Sequence, residues 1–403
     1  MKHGWRTVAL GELCEVEGGD AAPQQEECFA GGTIPFVRMK DLGRYHFTNN
    51  LRSTDDKLSE ETVTRDRMKL FEPGCILFPR SGSVALNHRA ILGVRACIVS
   101  HIGVLRIFSP AVVPSYLYRF LQTFDMTRLS KKTTGVDSIA FSDVKRIDVP
   151  VPPLPEQDRI VRILDAAEEL RWLRAQADRR TADLIPALFF EMFGDPVTNP
   201  RKWKTFPVEN LFPADRSGAR CGPFRSALKK HEYVDAGIPV WGIENVQPNR
   251  FVEEGSLFIA EEKYAQLTNY TVQAGDILIS RAGTVGRMCV ARPQQSPSII
   301  GTNLIRLALD SRTIQPEYFT SMFTYFGEQM GRLRANVDEG AYSFMNTTTL
   351  KSLTISLPPL PLQRQFAARV VEIRALEARQ AESRRRLDDL FQSLLHRAFR
   401  GDL

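Results

Sequence analysis

Nowhere in the 403 residues does lysine follow glycine. A P-loop needs that pair ahead of serine or threonine, so P-loop-driven translocation is excluded. The only Asn-Pro, Asn199–Pro200, runs into Arg201, so the N/D-P-P-Y/F motif that holds a target amine in amino-methyltransferases is missing. Neither H-E-x-x-H nor G-x-S-x-G occurs. Glu261–Glu262–Lys263 contains the E-x-K of some nucleases, but no Pro-Asp stands upstream at useful spacing, and the triplet reads as a solvated surface. The six cysteines come no closer than fourteen residues, which excludes C-x-x-C and zinc-finger spacing and points to reduced thiols. No apolar stretch approaches the ~18 residues of a membrane span, and MKHGWRTVALGEL lacks a signal-peptide core. The expectation is a soluble, cytoplasmic protein without membrane contact. What little charge bias exists is basic, with 53 Lys and Arg against 47 Asp and Glu, which suits a phosphate-rich partner.

What is present is a duplication. VPVPPLPEQDRIVRIL from Val149 returns as ISLPPLPLQRQFAARV from Ile355, with P-P-L-P-x-Q identical. PGCILFPRSGSV from Pro73 returns as AGDILISRAGTV from Ala274, and GGTIPFVRMKDL from Gly31 as DAGIPVWGIENV from Asp235. Each half opens on a tryptophan, Trp5 or Trp203, and closes alike, LIPALFFEMFGD against LFQSLLHRAFRGD. A period near two hundred residues is too long for a solenoid and indicates duplicated domains.

Each half begins with short strand-like runs such as Cys75–Phe78 and Ile277–Ile279 between Gly, Pro and Asn turns. Proline-led helices are expected from Pro114 and Pro316. Each half then ends in a long helix, started by the clusters Pro150–Pro155 and Pro358–Pro361. Glu156–Phe193 holds no glycine and one proline, Pro186, which invites a kink; Leu362–Arg400 holds neither. At 1.5 Å per residue each helix reaches roughly 55 Å, too long to hide in a 150-residue domain. Ile160, Ile163, Ala167, Leu170, Ala177, Leu184 and Leu188 fall on 3–4 spacing, as do Phe366, Ile373, Leu376, Leu387, Leu390 and Leu394. That predicts a coiled-coil seam. It lapses at Arg174 and Thr181, and at Gln380 and Ser383; antiparallel pairing would bring these polar residues into one layer. The fold class is α+β: two similar α/β globular domains joined by two long antiparallel helices in a coiled-coil stem, with pseudo-two-fold internal duplication. The segments are 1–150, 151–195, 196–356 and 357–403.

The doubled P-P-L-P-x-Q helix start, the G-D-I-L-I-S-R-x-G-T-V-G block at Gly275–Gly286 and the A-F-R-G-D-L ending at Ala398–Leu403 resemble the specificity subunits of Type I restriction–modification systems. The resemblance spans essentially the whole chain. The first copy departs from the pattern at Cys75, where the second has Asp276, and the second helix start has Leu362 for Glu156. The resemblance implies a non-catalytic, sequence-specific binder of double-stranded DNA. Each domain would read one half of a split site, and the helices would hold the domains a fixed distance apart. It implies two docked methyltransferase subunits, and motor–nuclease subunits for restriction. This chain would hold no cofactor or metal; S-adenosylmethionine, ATP and magnesium would belong to the partners. Two alternatives stay open on the residues alone: the reading subunit of another methylation or restriction system, and a coiled-coil scaffold that binds no DNA.

DNA readers need Arg or Lys for phosphates and polar side chains for base edges. Arg80, Ser81 and Ser83 follow one strand-like run, and Arg281 and Thr284 the matching one. Their recurrence favours a phosphate or turn role common to both halves. The non-repeated stretches with Lys131, Lys132 and Thr133, and with Arg220, Arg225, Lys229 and Lys230, are read as loops and as specificity candidates. Asn245 and Tyr342 are candidate base readers.

Overall fold

The computed structural model describes residues 4–45, 50–133, 136–223, 227–281, 285–327 and 347–403. The chain divides into two compact units, Met1–Ala175 with Glu382–Leu403, and Gln176–Ala381. The linear segments are thus cut across: each unit takes the start of one long helix and the end of the other.

In the first unit Arg6–Ala9 pairs antiparallel with Asp148–Val151, the strand leading into the helix start. A five-stranded sheet runs Cys14–Gly18, Ile102–Ile107, Ile76–Pro79, Ala90–Leu92, Asn50–Leu51. A three-stranded sheet runs Asp56–Leu58, Ile34–Val37, Cys97–Ile98. Ile76–Pro79 is buried throughout because successive side chains leave a strand on opposite faces and both faces are covered. Ile76 and Phe78 enter the core shared with the helices, while Leu77 enters a second core with Phe36, Val104 and Ile98. Opposite Phe78 stands Gly103, where a Cβ would come 2.2 Å from the ring. The second unit repeats the plan with four strands in each sheet: Ala219–Cys221, Leu304–Leu307, Ile277–Ser280, Met288–Val290 in one, and Tyr233–Val234, Leu257–Ile259, Ile238–Trp241, Ile299–Ile300 in the other. Thr205–Pro207 pairs with Thr354–Ser356. Ile277–Ser280 lies between Leu304–Leu307 and Met288–Val290, sending Ile277 and Ile279 to one core and Leu278 to another.

The proline-led helices are Pro114–Thr123 and Pro316–Phe326. The long helices start at Leu154 and Leu360, one residue before a proline in each case. The first runs Leu154–Ala182 and resumes as Leu184–Phe193. Pro186 has no N–H to offer the Ala182 carbonyl, which accounts for the break. The second, Leu360–Arg400, is continuous.

In the first unit Arg159 donates to the Leu403 carbonyl at 2.7 Å and Arg171 pairs with Asp388 at 2.7 Å, so the segments run antiparallel. In the second unit Gln380 Nε2 donates to Thr181 Oγ1 at 2.9 Å, and the Phe189 and Phe366 rings meet edge to face. The expected polar layer therefore contains Thr181 and Gln380. The seam phase needs correction: Leu170, Leu184 and Leu390 are about half exposed. The buried stripes are Ile160, Leu164 and Ala167 with Phe391, Leu395 and Ala398, and Ile185, Phe189 and Phe193 with Phe366 and Val370. These stripes face the globular cores, against Tyr116, Leu117 and Phe120 in one unit and Tyr318, Phe319 and Met322 in the other. Each fully buried large side chain contributes roughly 1.5–3 kcal/mol, so the helix ends are part of the domain cores.

Candidate nucleic-acid interface

In both units the chain leaves the central strand on an arginine whose backbone N–H donates to the neighbouring strand. Arg80 donates to the His101 carbonyl at 2.8 Å, and Arg281 to the Asn303 carbonyl at 3.0 Å. His101 and Asn303 are both exposed, each just ahead of a buried strand.

In the first unit this corner carries a hairpin, Ser130–Thr133 against Val136–Ile139. The loop after Pro79 joins it: Ile139 N–H donates to the Arg80 carbonyl at 2.9 Å and Gly82 N–H to the Asp137 carbonyl at 3.1 Å. The Arg80 guanidinium lies 4.5 Å from the centre of the Phe141 ring. Ser81 Oγ and His101 Nδ1 share a hydrogen bond of 2.8 Å. Exposed Lys131 pairs with Asp143 at 2.9 Å, and that contact holds the Asp143 carboxyl below its usual range. Arg80, Ser81 and Lys131 are thus gathered at one end of the unit. Lys131, Lys132 and Thr133 lie on a strand rather than the loop expected. Half-buried Ser83 opens the turn Val84–Leu86, and Asn87 ends that turn in the left-handed region at φ 50°. Buried Arg89, missed by sequence reasoning, fixes the loop. Its guanidinium donates to the Asn87, His88 and Phe124 carbonyls at 2.6, 3.2 and 3.0 Å. Burial pushes its pKa down to about 10, so it remains a cation at neutral pH.

In the second unit Arg220 also lies on a strand, Ala219–Cys221, its guanidinium 5.7 Å from the centre of the Tyr270 ring. Exposed Lys229 and Lys230 belong elsewhere, at the turn into Tyr233–Val234 of the other sheet. Lys263 of the E-x-K pairs with Glu232 at 2.7 Å, a tie between that turn and the helix Glu261–Leu267. Asn245 requires correction as a base reader. It is fully buried, accepts from Gly242 N–H at 2.7 Å and donates to the Val252 and Glu254 carbonyls at 2.8 and 3.3 Å. Its amide is committed to the backbone. Arg225, Thr284 and Tyr342 lie outside the described residues.

Each unit also joins its domain to its long helix by the same bonds. Buried Gln157 accepts from Val113 N–H at 3.0 Å and donates to the Ala111 and Pro152 carbonyls, each at 2.8 Å. Buried Gln363 accepts from Gln315 N–H at 2.9 Å and donates to the Thr313 and Pro358 carbonyls at 3.4 and 2.7 Å. Tyr116 donates to the Pro150 carbonyl at 2.6 Å, and Tyr318 to the Ser356 carbonyl at 2.9 Å. The glutamine of P-P-L-P-x-Q is therefore a joint that sets how each helix leaves its domain.

The chain matches the model of the Type I restriction modification DNA specificity domain twice, over residues 2–174 and 200–380, and it belongs to that family. It is a Type I restriction–modification specificity subunit with two target recognition domains. It is 23% identical over 400 residues to the Type I restriction enzyme EcoKI specificity subunit of Escherichia coli K12, covering 92% of this chain and 82% of that one. Against the StySPI specificity subunit of Salmonella potsdam it is 23% identical over a 434-residue alignment, covering 100% and 90%. Among solved structures, the S subunit from M. genitalium matches with TM-score 0.59 at 16% identity, covering 98% of this chain and 96% of that one. A chain from a structure of the type I R-M system matches with TM-score 0.60 at 22% identity, covering 100% and 99%. These likenesses are of fold. Among the described residues, no helix is long and apolar enough to cross a membrane.

Proposed function

We propose that this chain reads a bipartite double-stranded DNA site, one half-site per unit, and performs no chemistry itself. The observation that carries the reading is the duplicated corner, Arg80 on His101 and Arg281 on Asn303, in two domains that each grip a long helix through the same glutamine and tyrosine bonds. Methyl transfer, with S-adenosylmethionine, belongs to two methyltransferase subunits docked on the helices. ATP and magnesium belong to motor–nuclease subunits, and the complex works in the cytoplasm. Leu170, Trp172 and Leu173, each about half exposed on the first long helix, support a partner covering that stretch. The helices act as a ruler between the two readers.

The test changes the ruler. Inserting four residues into each long helix, between 175 and 176 and between 381 and 382, adds nearly one turn and about 6 Å. This site spares the contacts of Ala167, Glu168 and Arg171 with the first unit. At about 3.4 Å per base pair the gap should grow by one to two base pairs with both half-sites unchanged. Methylation sequencing of cells carrying the chain and its methyltransferase reads the outcome. An unchanged gap with full methylation would remove the helices as the ruler.

A further inference from the structure

The duplicated corner keeps one residue and changes its neighbour. Arginine stands at 80 and at 281, while the residue whose carbonyl receives its N–H is His101 in one unit and Asn303 in the other. The two positions are equivalent in register. Pro79 pairs with Ile102 and Ser280 with Leu304, and 101 and 303 each precede that partner by one residue. The fold draws on the backbone carbonyl at this point, and a carbonyl does not depend on the side chain attached. Both side chains are exposed and polar beside a strand that is buried. We infer that positions 101 and 303 are equivalent base-reading positions, whose differing side chains make the two units accept different bases. The inference rests on the DNA-reading function proposed above and names a specificity residue within it.

The chemistry differs as such a role requires. His101 is braced through Nδ1 by the Ser81 hydroxyl at 2.8 Å, so base contact falls to Nε2. With the hydroxyl donating to Nδ1, Nε2 carries the proton and offers a single donor, suited to an acceptor such as guanine N7 or O6. Asn303 offers an NH2 donor group beside a carbonyl acceptor on a short stem, and one N–H with the carbonyl matches N7 and N6 of adenine. Arg80, over Phe141, and exposed Lys131 supply cations for the adjoining phosphates, which position without specifying. Neither His101 nor Asn303 belongs to a sequence motif, which is why the chain alone did not single them out.

The test uses the full chain co-expressed with its methyltransferase, with wild type, H101N, H101A, N303H and N303A read by methylation sequencing. H101N should change one base of the half-site read by the first unit and leave the other half-site and the gap intact. N303H should do the converse. Each alanine variant should relax that one position, lowering discrimination there by about tenfold or more. Because both side chains are exposed, the variants should melt with wild type. An unchanged motif in all four variants, or methylation that falls uniformly with every base preference intact, overturns the inference. Should one variant fail to accumulate, the variants at the other position decide alone. A wild-type chain that directs no bipartite motif would overturn the proposed function instead.

Discussion

Just ahead of its central strand the first unit buries a thiol, and at the same place the second buries a carboxylate. Cys75 sits among apolar neighbours, and burial pushes its thiol up to about 11. Asp276, fully buried, receives both terminal nitrogens of Arg216 and the N–H of Gln273 at 2.8 Å. On the adjoining strand the first unit has Val104, paired with Leu77, where the second has Arg306, paired with Leu278. Arg306 is buried and donates to the Thr271 and Ser217 carbonyls at 2.7 and 2.9 Å. One interior is apolar and the other ionic, yet strand order and register around them agree. The interiors diverge as sets, because a buried charge is tolerable only with its partners. The joints do not diverge: Gln157 and Gln363, and Tyr116 and Tyr318, make the same bonds. One further tie is built differently. Buried Arg119 reaches Glu168 at 2.6 Å in the first unit, whereas in the second Arg374 reaches the Tyr325 hydroxyl at 3.0 Å.

The comparison breaks most visibly at the carboxylate. Asp276→Ala leaves Arg216 without its paired carboxylate and removes the nearby negative charge that favours the cationic form of buried Arg306, and should cost the second unit about 3–5 kcal/mol. Cys75→Ala removes only a small apolar group and should cost about 1 kcal/mol. Hydrogen exchange, followed separately in each unit, measures both. Equal losses would mean that the ionic set is no more interdependent than the apolar one.

The joints should respond alike. Gln157→Leu and Gln363→Leu each strand a buried N–H and carbonyls, at about 1–3 kcal/mol per unsatisfied group. Tyr116→Phe and Tyr318→Phe should each cost about 1 kcal/mol. Denaturation of the four variants, read unit by unit, should give two matched pairs; a mismatch beyond about 1 kcal/mol would show that the duplicated bonds carry unequal loads.

The smallest effect is chemical. Thiolate is the reactive form, and burial raises Cys14 and Cys289 to about 12 and Cys75 and Cys97 to about 11. At pH 8 these four stay protonated and shielded, so a thiol reagent should label half-buried Cys221 ahead of them. Labelling of Cys75 as fast as Cys221, followed by mass spectrometry, would show that its interior opens.

Much of this architecture was legible because it is written in local chemistry. Proline at 155 and 361 marks helix starts, Pro186 marks the break after Ala182, and the polar lapse at Thr181 and Gln380 becomes a hydrogen bond. The phase of the long helices was not legible. A spacing pattern shows that a face is apolar, not whether a helix or a globular core covers it, and here Leu170 and Leu390 stay half exposed while Phe391 goes under. Within the candidate interface, recurrence found Arg80 and Arg281. Asn245 is held by the Val252 and Glu254 carbonyls and Lys131 pairs with Ser138 across a hairpin; these partners lie only seven to nine residues away, but no residue type there announces the pairing. His101 had no signal, since its placement follows from Arg80 choosing its carbonyl.

The exchanged helix ends also set an order of folding. Everything in the second unit, Gln176–Ala381, is contiguous in sequence, whereas the first must wait for Glu382–Leu403. Phe399 packs on Tyr116 and Phe120, and Phe391 belongs to the core of Ile160 and Leu164. On a ribosome adding about 5–20 residues per second, those apolar faces stand uncovered for on the order of ten to forty seconds after the first helix has emerged. The unit made first is therefore finished last, and a released chain truncated before residue 391 holds all of Gln176–Ala381, while the first unit lacks Phe391, Leu395 and Ala398 from its core.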